Sequence, residues 1–126
     1  MRFRWTLVAA IFGALAVGIG AFGAHALRGI LSPDMVKVFE TASKYHFYHT
    51  FLLLYIAHLL SNESIEENKL KLLQISAWYV SFGILIFSGS LYLLAITEIR
   101  ILGAITPIGG LSFIVAWILV AFSYRK

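Results

Sequence analysis

The chain has 126 residues, of which 60% are apolar and 13% charged, and its mean hydropathy of +0.88 lies well outside the balance of soluble domains, where about a quarter of residues are charged. That composition points to lipid as the solvent, and the length allows one domain, residues 1–126, with no room for separate catalytic and regulatory modules. The absence of cysteine excludes disulfides, thiolate metal sites, thiol nucleophiles and Cys lipidation; the formal charge of +4 sits as single and paired Lys and Arg at the ends of apolar runs, which suits membrane anchoring and gives no nucleic-acid surface.

Four stretches contain no Asp, Glu, Lys or Arg: residues 5–27, 45–60, 72–96 and 101–124. The first follows Arg2 and Arg4 and ends in Ala24-His25-Ala26, which resembles a signal-peptidase site. Its apolar run is too long for a cleavable signal, so it is expected to be a retained span. Ala9, Gly13, Ala16, Gly20 and Gly23 form one continuous small-residue stripe, with Ala14, Gly18, Ala21 and His25 as a second beside it. In lipid, small residues let helices approach closely, so two stripes predict neighbours on two sides and a central position for this helix.

The second stretch is only about 24 Å long at 1.5 Å per residue, short for a hydrocarbon core of about 30 Å. Upstream, Ser32 is a good N-cap, Pro33 fits the first helical position and Asp34 suits the positive end of the helix dipole. The helix is therefore predicted to start there and run unbroken into the span. Its first turns, with Met35, Val36, Val38 and Phe39 against Asp34, Lys37, Glu40 and Lys44, form an amphipathic extension expected at the interface.

The middle loop, residues 61–71, mixes Glu63, Glu66 and Glu67 with lysines. The third span then carries Ser81, Leu85, Ser88 and Tyr92 at helical spacing, with Gly89 and Ser90 alongside. After the short connection 97–100, the fourth has Gly103, Thr106, Pro107, Gly109 and Gly110 in its first half, and Pro107 predicts a kink unless a neighbour satisfies the freed carbonyl. Gly13, Gly20, Gly23, Gly89, Pro107, Gly109 and Gly110 are read as helix-packing positions. The expected fold is all-α, a four-transmembrane-helix bundle. Arg2, Arg4, Lys69, Lys71, Arg125 and Lys126 on one side, against Arg28, Lys37, Lys44 and Arg100 on the other, favour cytoplasmic termini.

Ionisable groups inside a span are site candidates by default. His46 and His49 share one face of the second helix, whereas His58 is on the opposite face near the far interface. His25, His49, Ser88, Ser90, Tyr92 and Thr106 are expected in the same half of the membrane, near the first loop. Such a cluster can hydrogen-bond helices together, bind a small polar ligand or lipid headgroup, or ligate a metal or haem through histidine. Interhelical bonding is the ordinary role of intramembrane polar groups. With no carboxylate in any span to complete a zinc site or orient a histidine, no catalytic residue, metal or cofactor is assigned.

Residues 20–25 (Gly-Ala-Phe-Gly-Ala-His), Tyr48-His49-Thr50 within 45–50, residues 87–92 (Phe-Ser-Gly-Ser-Leu-Tyr) and 106–110 (Thr-Pro-Ile-Gly-Gly) appear together in this order. Over nearly its whole length the chain thereby resembles the bacterial domain-of-unknown-function family 423, small four-helix membrane proteins related to the eukaryotic transmembrane protein 256. The resemblance implies a multi-pass protein of the bacterial cytoplasmic membrane with no assigned reaction, contributing to membrane or envelope homeostasis. Glutamine is often found in that family where this chain has His46, which weakens any mechanism requiring both histidines of the pair. The leading expectation is a non-enzymatic membrane protein with membrane lipids, a partner membrane protein or further copies of itself as partners. The alternatives are a haem-, metal- or lipid-binding protein using the outer-half histidines, and a small transporter or channel.

Overall fold

A computed structural model describes residues 4–125 of the chain. Its helices are α1 (Trp5–His25), α2 (Pro33–Leu60), α3 (Glu67–Gly83), α4 (Gly89–Thr97) and α5 (Leu102–Ser123), with a π-helical turn, Ile84–Ser88, joining α3 to α4 in one unbroken rod. Three segments, Trp5–His25, Glu67–Thr97 and Leu102–Ser123, are long and apolar enough to cross a membrane. α2 is longer than α1 or α5, but Asp34, Lys37, Glu40 and Lys44 in its first turns and the histidines beyond them lower its mean hydropathy below theirs.

α2 begins where its capping signals put it: Ser32 is extended, its Oγ accepts from Met35 N–H, and Pro33 occupies the first turn. The chain turns into it through Gly29, whose φ of +78° is one that side chains with a Cβ rarely adopt. At the third connection Glu98 takes the left-handed conformation, φ 55°, and its N–H closes on Leu94 O. The middle loop is capped differently, by Ser61 Oγ donating to His58 O.

α2 and the α3–α4 rod form the centre, with α1 packed on α2 and α5 on the rod. The first helix is therefore peripheral, which corrects the expected central position. Its stripe Ala9, Gly13, Ala16, Gly20 and Gly23 faces α2, where Gly13 lies by Thr50, Gly20 by Ser43 and Gly23 by Phe39. The second stripe, Ala14, Gly18, Ala21 and His25, is exposed. Two adjacent faces of small residues look alike in sequence, yet only one has a helix against it.

The apolar core lies toward the middle loop. Trp5, Leu53, Ile56, Leu73, Ala77, Val80 and Ala116 pack there, each almost fully buried. Large apolar side chains also cover the outside, among them Leu7, Ile11, Leu15, Phe22, Phe82, Leu85, Leu111, Ile114 and Trp117. An apolar exterior this continuous is unsuited to water.

Ser81 and Ser88 are buried, but Leu85 between them is 62% exposed, because the inward face runs through Val80, Ile84, Ser88 and Leu91 and Leu85, one residue past Ile84, stands about 100° away from it. The π-turn sits where α5 comes closest. A Cβ added at Gly109 would lie 2.8 Å from Phe87 Cα, and one at Gly83 would overlap the Phe113 ring. Gly110 has ordinary contact with Phe87, whereas a Cβ at Gly89 would meet nothing within 4 Å and Pro107 is exposed within α5.

Candidate functional site

The polar side chains inside the bundle are densest around the π-turn and extend from there into the apolar core, where Ser76 is fully buried beside Ala77. Ser88, fully buried, donates to Ala42 O of α2 at 2.8 Å. Ser90 and Thr106 share a 2.6 Å hydrogen bond between α4 and α5, while each also reaches a carbonyl of its own helix, Phe87 O and Leu102 O. Nearer the bundle middle Ser112 donates to Tyr79 O, and inside the apolar core Ser76 donates to Ala116 O, two further ties between α3 and α5. A serine hydroxyl can use the second lone pair of a helical carbonyl, so these bonds need not break the helix ladder.

His49 is 5% exposed and lies face to face with Phe113, ring centroids 3.5 Å apart. Its Nδ1–H donates to Tyr45 O at 2.8 Å, because a carbonyl can only accept. Nε2 therefore accepts, and Trp117 Nε1–H donates to it at 3.2 Å. Both nitrogens are used and the tautomer is fixed by its neighbours. Ligation of haem or metal by His49 would require breaking the bond from Trp117 or that to Tyr45.

His46, 3% exposed, differs. Its Nδ1 and the Tyr92 hydroxyl of α4 share a 2.9 Å hydrogen bond, and Tyr92 also leans on Phe39 and interacts with Ser43. Its Nε2 is buried without a hydrogen-bond partner, and the Phe12 ring meets the imidazole edge-on. The α1 stripe of small residues is what brings Phe12 and its helix this close.

His25 stands apart from the cluster expected for it. It is exposed at the end of α1, on a cleft with Arg28, Glu40 and Ser43. Gly23 is opposite Phe39 and Gly13 opposite Thr50, so His25, two residues beyond Gly23, is separated from His49 by about twelve residues of α2, roughly 18 Å of rise. The two were expected at similar depth because the short charge-free stretch was taken as the whole span; helix pairing extends α2 well past His25. Among the described residues no group of three or more His, Cys, Asp or Glu is spaced to hold a metal ion.

Sequence reasoning missed Trp117, Phe113, Tyr45 and Ser43. A signal existed for three of them: Phe113 and Trp117 are four apart on one face of α5. Ser43, three residues before His46, carries the same spacing signal.

The family described as "Protein of unknown function (DUF423)" matches residues 19–110. The chain is 44% identical to a UPF0382 membrane protein of Staphylococcus epidermidis over 95% of this chain and 93% of the relative. It is 46% identical to one of Staphylococcus saprophyticus subsp. saprophyticus over 95% of each, and 43% identical to UPF0382 membrane protein YwdK of Bacillus subtilis over 95% and 94%. No solved structure matches.

Proposed function

The chain belongs to the DUF423 family of unknown function, and on that premise we propose that it is a non-enzymatic, four-span protein of the bacterial cytoplasmic membrane whose polar cluster fastens the helices in register. The observation that carries this reading is the way the cluster's bonds cross between helices: His46 to Tyr92, Ser88 to Ala42, Ser90 to Thr106 and Trp117 to His49. In lipid such bonds act where hydrophobic exclusion between helices does not. Any contribution to membrane or envelope homeostasis is then made as a packed scaffold or through its partners rather than by a reaction.

α2 is the fourth span on this reading. Within the span His46, His49 and Thr50 are buried, while Tyr48, Phe51, Leu54 and Tyr55 face outward and His58 is exposed near its end, so the exterior of its middle suits lipid. Its first turns, with Asp34, Lys37 and Glu40 exposed, lie at the interface beyond the hydrocarbon. The charge bias puts both termini in the cytoplasm.

The native absence of cysteine makes the topology directly testable with single cysteines at the exposed Ile30, Asn62 and Glu98. A membrane-impermeant maleimide applied to intact cells should label Ile30→Cys and Glu98→Cys, and should label Asn62→Cys only after permeabilisation. Labelling of Ile30→Cys and Asn62→Cys from the same side would reject the four-span reading.

A further inference from the structure

Between the end of α1 and the first turns of α2 lies a cleft of about 510 Å³. Its existence follows from the sequence. Gly20 and Gly23 bring no side chains to this contact; a Cβ at Gly23 would overlap the Phe39 ring, and Gly29 turns the chain back over the top with positive φ. Leu27, Val36 and Phe39 give the cleft an apolar wall, while Arg28 and Glu40 bring one charge of each sign to its rim.

Opposite charges on one cleft would ordinarily close on each other. Here the ion pair found among the described residues is Lys71 with Glu67, at the other end of the molecule, so Arg28 and Glu40 share the cleft without pairing. A cation, an anion and an apolar wall together complement a ligand that is zwitterionic at one end and hydrocarbon at the other. A guanidinium matches phosphate oxygens with two parallel N–H donors, and a carboxylate accepts from an ammonium.

We propose that this cleft binds a phospholipid whose headgroup carries a primary amine, with Arg28 on the phosphate, Glu40 on the ammonium, and an acyl chain along Leu27, Val36 and Phe39. The proposal deepens the four-span reading and rests on it, because that reading puts the mouth of the cleft at headgroup level. Choline headgroups, with no N–H, cannot donate to Glu40, and glycerol headgroups lack the positive charge. Selectivity for the amine is thus the signature that separates this site from a greasy crevice filled by any lipid.

The test uses the full chain in detergent micelles containing equimolar dioleoyl phosphatidylethanolamine and dioleoyl phosphatidylcholine, with retained lipid counted by native mass spectrometry. A preference of about tenfold for the ethanolamine lipid is expected, the order of one charge-assisted hydrogen bond. Glu40→Gln should bring that preference to near one while phospholipid is still retained, Glu40→Asp should keep part of it, and Arg28→Gln should lower retention of both lipids. Equal retention of the two lipids by the native chain, or an unchanged preference in Glu40→Gln, overturns the proposal. The labelling experiment fails or succeeds independently: a wrong topology with intact lipid preference faults the four-span reading, and a correct topology without preference faults the site.

Discussion

The two ends of this bundle are held together by different physics. Toward the middle loop, Leu53, Ile56, Leu73 and Val80 fill the space between helices, and Trp5 meets Trp78 edge-to-face. Toward the first and third connections, the contacts are directional: hydroxyls on carbonyls, imidazoles on tyrosine and tryptophan, and the backbone of α5 against the π-turn. The contrast has a cause in the solvent. When the exterior is as apolar as the core, hydrophobicity cannot tell a helix which face to turn inward, and shape, helped by the buried bond from Ser76 to Ala116 O, must hold the apolar end. A bond with a direction, or a backbone approach that only glycine permits, specifies rotation and depth as well.

That contrast can be broken most severely at the close backbone approach. Gly109→Val pushes a branched side chain into the Phe87 backbone, which cannot yield as a flexible side chain would. A loss of about 3 kcal/mol or more is expected in reversible unfolding from mixed micelles. At the apolar end, Leu53→Ala leaves a void at a fully buried position and should cost about 2 kcal/mol, the low end of the range for such truncations because lipid gives the unpacked helices an apolar surrounding. Ser88→Ala, which removes one hydroxyl from the Ala42 carbonyl, should cost only about 0.6 kcal/mol by the same assay. The ordering sharpens the comparison: the directional end depends on many small bonds and on close approaches at glycine, the apolar end mainly on a few large side chains.

Much of this was legible in the chain. The start of α2 followed from Ser32 and Pro33, and the inward stripe of α1 from Ala9 to Gly23, because capping and small-residue spacing are local properties. Which of two stripes on α1 meets a neighbour was not legible, since that depends on how four helices share space. The π-turn was hidden too; nothing in residues 84–88 departs from an ordinary apolar helix. The histidines were found by residue type, but their different states were not. Whether an imidazole has both nitrogens used, as His49 does, or one, as His46 does, depends on Trp117 and Tyr92 arriving from helices distant in sequence.

The central claim, that polar bonds across helices hold this bundle in register, is tested most directly by a double-mutant cycle on the link between α2 and α4. His46→Leu, Tyr92→Phe and the double variant would be unfolded alongside the native chain under identical micelle conditions. The account predicts a coupling energy of about 0.6 to 1.7 kcal/mol, the range measured for bonds between membrane helices. Strictly additive losses, with no coupling between the two positions, would contradict it.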